Sequence, residues 1–433
     1  MMRVSAFNHS DSEGGAAKAA YRIHQAVQTQ GVTSTLIVNQ KKLDDASIDG
    51  PNKLLNKIQT RIASICGVLI AGLIRTPDKA YHSPAIFPTR WHNKINASGD
   101  IDVAHFHWIN GEMMSVEDIG KVNKPIIWTL HDMWAFSGAE HYSVSDRAKR
   151  GYFAYNRPAE EGGIDLNSWT WHRKHRNWVR PLQLVTPSNW LANQVRESAL
   201  MGSWPVTVIP NPVNTDIWRP IEQSQARKFI GLSPSLNYPL LVFGAIGGGV
   251  NPRKGIDLLV GALSKLRTME QSSVIEGMEI AIFGQNQPDK PIDFGFPVHY
   301  LGHISDEGRL NNLYSAADLL VAPSRQEVFG QIASEAHACG CPVVAFKGTG
   351  LSDVVDHQIT GYLATQFKEE DLAAGIEWVL KQKNIETGQN RMRIASRKRA
   401  VEKFSYSVVG KLYADTYQKT LDIYRQLHTT QSF

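Results

Sequence analysis

Along this chain, short apolar runs alternate with stretches whose apolar residues recur at helical spacing. In the first half, Met2–Phe7 (MRVSAF) reads as a strand, followed by a glycine-rich turn, a helix from about Gly15 to Gln30 and a strand Ser34–Val38. Val103–Phe106, Ile126–Leu130 and Gln183–Thr186 are further short, β-rich runs, each followed by a loop or a helix start. The second half repeats the rhythm with Leu240–Gly244, Glu279–Phe283, Val298–Tyr300, Leu319–Ala322 and Pro342–Ala345. Helices Ile256–Arg267, Arg309–Ser315 and Ile332–Ala338 are expected between them. Such alternation predicts βα units and mostly parallel sheets.

Between the halves, Val208–Pro220 (VIPNPVNTDIWRP) carries three prolines and no periodicity, which makes it the linker candidate. Ser405–Leu427 reads as one or two amphipathic helices. The expectation is an α/β protein of two doubly wound, Rossmann-like domains, 1–212 and 213–404, with 405–433 returning to pack on the first. Ligands of such sheets bind beyond the carboxyl ends of the strands, so two facing domains are expected to form a central cleft for a two-part substrate.

Length agrees: 433 residues exceed one compact core and fit two domains. The net charge of +5, from 46 basic and 41 acidic residues, is a mild bias toward anionic partners and far from a nucleic-acid signature. Three cysteines build no disulfide framework and point to a reducing compartment. The first residues, MMRVSAFNHSDSEGG, lack the apolar core of a signal peptide, so a cytoplasmic protein is expected.

One segment departs from this picture. Ile62–Ile74 (IASICGVLIAGLI) is nearly all apolar, with Lys53, Lys57 and Arg61 before it and Arg75 and Lys79 after it. As a helix it spans ~20 Å, short of the ~30 Å hydrocarbon core. It is either a buried helix of the first domain or a helix lying on the inner face of the cytoplasmic membrane, with 53–79 in contact with anionic lipid.

Several stretches carry candidate chemistry. Gly14 and Gly15 lie between a strand and a helix start, where backbone amides can approach a phosphate; a tight turn with no ligand explains them equally well. Phe243–Val260 (FGAIGGGVNPRKGIDLLV) brings Arg253 and Lys254 to a helix start after a glycine-rich loop, which suits a diphosphate if the pair is not simply solvated. In Arg325–Phe346 (RQEVFGQIASEAHACGCPVVAF), Glu327 falls in a loop and Glu335 on the following helix. They share no helix face, so two contacts to one extended ligand are more natural than an acid/base pair.

His337, Cys339 and Cys341 do not have the spacing of a structural zinc site, and no metal is expected. His131 and Asp132 follow a strand, where His131 can act as donor or acid/base, or pack beside a capping Asp. His105 and His107 read as structural, with Trp108 packing. Asn167–Pro181 (NSWTWHRKHRNWVRP) mixes Trp169, Trp171 and Trp178 with cations; burial of Trp169 and Trp178 on one side, with solvated cations opposite, is favoured over a nucleic-acid face.

Together these motifs resemble the retaining glycosyltransferases of family 4, which have the GT-B fold. The resemblance rests on Glu327 and Glu335 in an E-x₇-E element, on Gly348–Ala364 (GTGLSDVVDHQITGYLA) and on Arg253–Gly255 (RKG). In the first domain it rests on Gly14–Ala16 (GGA), on TLHDMWAFSG and on TPSNWL followed by VIPN. It covers nearly the whole chain, and its second half is the more specific.

The resemblance implies a nucleotide-diphosphate sugar as donor co-substrate, no further cofactor and no metal. Glu335 is then expected at the ribose, and Glu327 with the amides of Val328, Phe329 and Gly330 at the donor sugar. Arg253 and Lys254 neutralise the departing diphosphate, a stabilisation that grows in the transition state. Gly15, with Gly14, reaches the phosphate, His131 orients the sugar, and the base lies against Gly284–Gln285 and Gly302–Ile304, including His303. The acceptor implied is a saccharide or lipid-linked saccharide of polysaccharide or glycan synthesis.

Two departures stand out. Relatives commonly carry an Arg where this chain has Gly249, so Arg253 is expected to take over. Several relatives have cysteines after the HDMW motif where this chain has none. Competing readings are a nucleotide-sugar epimerase or a phosphorylase of the same fold, and a nucleic-acid-binding module.

Overall fold

The computed structural model describes residues 2–51, 54–77, 81–143, 145–233, 235–244, 251–269, 272–382 and 388–429. The chain forms two compact units, Met1–Pro212 with Val409–Phe433, and Val213–Val408.

The first unit is built on strands β1 (Arg3–Ser10), β2 (Thr33–Gln40), β3 (Ile48–Asp49), β5 (Val103–Phe106), β6 (Ile126–Thr129), β8 (Gln183–Thr186) and β9 (Val206–Val208). Their order is β3-β2-β1-β5-β6-β8-β9, and every pair is parallel. Helix α1 (Gly14–Gln28) follows β1 and buries Ile23 and Val27 against Val4, Val103 and Ile127. Val409, Tyr413 and Tyr417 of the final helix, Tyr406–Thr429, join the same core. A two-residue antiparallel ribbon pairs β4 (Ile74–Arg75) with β7 (Gly162–Gly163).

The second unit has β10 (Leu240–Gly244), β11 (Glu279–Phe283), β12 (Val298–Tyr300), β13 (Leu319–Ala322), β14 (Val343–Phe346) and β15 (Gly361–Ala364), in the order β12-β11-β10-β13-β14-β15, all parallel. Side chains alternate faces along a strand. Leu240 and Val242 therefore enter one core while Leu241 and Phe243 enter the other. Ala281 and Phe283 split from Ile280 and Ile282 in the same way, as do Leu320 and Ala322 from Leu319 and Val321. That double burial is why these strands read as unbroken apolar runs.

Six predicted strands match residue for residue; Pro342–Ala345 moves to Val343–Phe346, because Pro342 has no N–H for the ladder and contributes only its carbonyl, to Leu320 N. The linker candidate is not a free segment: its first residue, Val208, ends β9, and Trp218 is fully buried in the second unit's core. The tail is one helix rather than two.

The apolar segment forms helix α2 (Leu54–Ala71), and its burial is not observed. Ile62 is 55% exposed, Ile65 53% and Leu69 68%, because the side that faces the fold is mostly small residues, joined by Ile70 against Ile74, Ala139 and Leu166. Lys53 and Lys79 lie outside the described residues. No described helix is long and apolar enough to cross a membrane.

Candidate functional site

In each sheet the winding direction reverses once, between β1 and β5 and between β10 and β13, and the loops after those strands diverge there. In the second unit the loop leaving β10 begins with 245–250, including Gly249, outside the described residues. It continues as a tight turn at Pro252–Lys254, whose Arg253 N–H is received by Asn251 Oδ1. Gly255 then turns the chain into the helix Ile256–Thr268 with φ at +68°. A Cβ there would stand 2.0 Å from the Pro323 carbonyl oxygen, so only glycine lets the basic turn lie against the loop after β13.

Arg325, to which the sequence reading gave no role, fastens that contact. Its N–H reaches the Arg253 carbonyl at 2.8 Å, and its guanidinium binds the Pro252 carbonyl and forks onto Asp257 at 2.8 and 2.5 Å. The turn is therefore held in place with Lys254 Nζ 2.7 Å from Glu327 Oε2. Two residues 73 positions apart meet as an ion pair, with side chains 24% and 19% exposed.

The loop carrying Glu327 is clamped from its other side. Glu327 O receives Gly350 N–H at 2.7 Å, and a Cβ on Gly350 would lie 2.1 Å from the Val328 carbonyl oxygen. Val328 and Phe329 bury their side chains, which leaves only their backbone for a ligand. Gly330, at φ +94°, starts the helix Gln331–Ala338. Glu335 on that helix is buried and receives Tyr314 Oη–H at 3.4 Å. The two glutamates thus have different partners and different surroundings.

Gly284 and Gly302 follow β11 and β12 and are joined by Gly284 N–H to Gly302 O at 2.8 Å. Gln285 is half-buried and His303 exposed, while Ile304 packs in the core with Ala281 and Phe283, so Ile304 can offer only backbone. His337 Nε2 meets the Thr360 carbonyl at 3.0 Å, and burial pushes its imidazole down to about 3. Cys339 Sγ donates to Asn311 Oδ1, and burial pushes the Cys341 thiol up to about 12. Among the described residues no group of His, Cys, Asp and Glu has the arrangement of a metal site.

In the first unit, β1 ends in a turn whose Ser10 Oγ receives the N–H groups of Ser12 and Glu13. Gly14 opens α1 at φ +84°. A Cβ at Gly14 or Gly15 would meet no atom within 4 Å, so nothing in the fold itself crowds that helix start.

His131, after β6, is partly exposed, and burial of its ring pushes it down to about 4. Its Nε2 lies 3.0 Å from Nδ1 of His107, the residue after β5. His107, expected to be structural, touches His131, a histidine assigned to the site. Asp132 gathers Trp134 N–H, Trp108 Nε1–H and His141 Nδ1 at 2.9, 2.8 and 2.6 Å. Burial alone would raise its carboxyl; His141 and these hydrogen bonds bring it below the usual value.

The tryptophan-rich stretch is a helix, Leu166–Asn177, and its predicted faces are corrected. Trp169 is 43% exposed under the Arg173 guanidinium, whereas Trp178 is buried with Nε1–H on the Val116 carbonyl. Lys174 is not solvated. Its ammonium is fully buried over the Trp134 ring and donates to the carbonyls of Trp134, Ser137 and Gly138. The long apolar stem and the carbonyl cage let a cation sit where spacing alone predicts water.

Residues 13–217 match the family model described as Glycosyltransferase Family 4, and residues 246–399 the model described as Glycosyl transferases group 1. The chain is 31% identical over 186 residues to D-inositol 3-phosphate glycosyltransferase of Segniliparus rotundus, covering 40% of this chain and 39% of that one. With the protein of that name from Rhodococcus jostii it is 27% identical over 266 residues, covering 58% and 57%. The chain thus spans about half the length of the curated relatives it matches, or less. Sucrose-phosphate synthase from Thermosynechococcus elongatus has a similar fold, with a TM-score of 0.65 at 16% identity over 98% of this chain and 100% of that one. So does Anabaena HepE in complex with UDP-glucose, with a TM-score of 0.60 at 16% identity over 97% and 100%. The two parallel sheets are those of the GT-B fold.

Proposed function

Since the chain belongs to the family 4 glycosyltransferases, we propose that it moves a sugar, with retention of configuration, from a nucleotide-diphosphate sugar to a saccharide or lipid-linked saccharide. The observation that carries this reading is the Lys254–Glu327 pair, assembled where the second sheet reverses its winding. It offers a cation for a departing diphosphate beside a carboxylate for sugar hydroxyls. In this reading the donor takes Lys254 partly away from Glu327 and frees that carboxylate to accept from the sugar. Arg253 supports the diphosphate, and the buried Glu335 accepts from the ribose. The backbone of Val328, Phe329 and Gly330 lies along the sugar, and Gly284, Gln285, His303 and Ile304 border the base.

In the first unit, Gly14 and Gly15 provide amides for a phosphate and His131 orients the sugar. The uncrowded backbone at Gly15 supports this, since glycine there serves no packing need of the fold. A peripheral contact with anionic membrane through 53–79 goes with a lipid-linked acceptor, and a cytoplasmic setting on the inner membrane face goes with both.

The test is a panel of nucleotide sugars, begun with UDP-glucose because that donor is present in the Anabaena HepE complex. Donor-specific binding and slow hydrolysis are expected. Binding to none of the panel would sink the proposal, and an isomerised sugar formed from donor alone would favour an epimerase. Glu335→Ala is expected to weaken nucleotide binding; unchanged affinity would remove its ribose role.

A further inference from the structure

Helix α2 is packed inside out. At 100° per residue, Leu54, Ile58, Ile62, Ile65 and Leu69 fall within one arc of about 80°, with Val68 at its edge. All six are 45% exposed or more. The opposite arc holds Thr60, Ala63, Ser64 and Gly67, with Ile70 beside them packed against Ile74, Ala139 and Leu166, and this is the side that meets the fold. Ser64 Oγ–H donates to the Gly111 carbonyl at 2.9 Å. Gly67 lies directly on Glu112, where a Cβ would be 2.8 Å from Glu112 Cγ. That carboxylate cannot move aside, because it receives the N–H groups of Ala85, Ile86 and Phe87 at 3.0, 2.7 and 2.9 Å. An ordinary surface helix turns its large apolar residues inward. Here, Ile70 apart, the small residues face inward and the large ones outward.

The display continues past the helix. Leu73 is 49% exposed and Ile164 58%, and Ile164 N–H binds the Leu73 carbonyl beside the β4–β7 ribbon. Charge then selects the occupant. Residues 50–77 contain no Asp or Glu but include Lys53, Lys57, Arg61 and Arg75. Lys57 and Arg61 are exposed on the Val68 side of the arc. A second copy meeting this face by two-fold symmetry would set these cations near their own equivalents, with no acidic residue of the segment to pair them. An anionic lipid surface supplies the missing charge and accepts the apolar side chains, while the long cationic stems reach the headgroups.

We infer that α2, with Leu73 and Ile164, docks the protein on an anionic bilayer, and that Gly67 seated on Glu112 turns the docking face outward. This deepens the membrane part of the proposed function and is independent of its donor part. The experiment sediments the full chain with vesicles of phosphatidylcholine, with or without phosphatidylglycerol. Binding to the anionic vesicles is expected. The triple variant Ile62→Ser, Ile65→Ser, Leu69→Ser, altered only at exposed positions, should lose on the order of a hundredfold in affinity. Lys57→Gln with Arg61→Gln should lose about fivefold per cation on anionic vesicles and little on neutral ones. Leu69→Trp should shift its emission to the blue on anionic vesicles.

Absence of vesicle binding, or equal binding by the triple variant, overturns the inference. So does a dimer in light scattering that the triple variant dissociates, which would assign the face to a second copy. Nucleotide-sugar hydrolysis measured on the same variants should be unchanged, so failure of the docking face and failure of the donor reading are separately visible.

Discussion

The two strand-end clusters solve the problem of holding polar groups in opposite ways. Around β5 and β6 in the first unit, Asp132, His141, His107 and Lys174 find their partners inside the fold, and His107 is held neutral by burial. At the end of β13 in the second unit, Lys254 and Glu327 form a charged pair that keeps contact with water. The first arrangement is fixed before any ligand arrives. The second is held by a contact that an incoming anion can exchange for its own. In the proposed reading, a rigid cluster paired within itself and an exchangeable ion pair suit different jobs, orientation and charge stabilisation.

Acid should separate the two units most strongly. His24, His105 and His107 are buried neutral in the first unit, with His24 pushed down to about 4 and His105 to about 3; His337 is the counterpart in the second, at about 3. Below pH 6.5 the unfolded chain takes up protons that the folded one refuses, so stability is full above that pH and falls as pH drops toward the folded values. Each histidine contributes about 2 kcal/mol of loss between pH 7 and 5, giving about 6 kcal/mol for these three in the first unit against about 2 in the second. Hydrogen exchange at the two pH values, corrected for intrinsic rates, should show the first unit opening preferentially. Equal loss in both units would falsify the contrast.

Lys254→Ala tests the exchangeable ion pair of the second unit. If Lys254 faces the departing diphosphate as proposed, losing it removes that cation and leaves Glu327 without its ion pair, so kcat/KM should fall by about 10²–10³ in initial-rate assays. A loss under threefold would mean that Arg253 carries the charge alone.

The sequence reading succeeded where one local pattern carries the information. β10, β11 and β13 are legible because burial on both faces makes nearly every residue apolar, Glu279 at the start of β11 excepted. β9 was missed because it is a three-residue edge strand, none of whose residues is fully buried. Glu327, Glu335, Arg253 and Lys254 could be picked out by residue type and spacing. That Lys254 meets Glu327, and that Arg325 and Asp257 fasten the turn beneath them, depends on which strands become neighbours, and no local pattern encodes that. Lys174 contradicts its expected solvation and α2 goes against one of its two readings, the buried helix, for a shared reason. Spacing says which residues share a face, but not which face the fold covers.

His107 is the sharpest case of a role hidden in a core residue, and it gives the smallest predicted effect. Its Nδ1 meets His131 Nε2, while its Nε2 is buried with no hydrogen-bond partner among the described residues. A buried N–H without an acceptor is rarer and costlier than a bare ring nitrogen, so the proton belongs on Nδ1. His107 then donates to His131, whose own proton must sit on Nδ1, leaving that N–H to point at a ligand oxygen. Nitrogen NMR of the free protein should report His131 as the Nδ1–H tautomer. In His107→Phe the ring keeps its packing volume but loses the bond, and the tautomer preference should vanish. If His131 orients the donor sugar, kcat should then fall by about tenfold with KM within about twofold, the pattern of a lost second contact behind a site residue. Loss of the tautomer with full activity would leave His107 as a structural partner and remove His131 from the site.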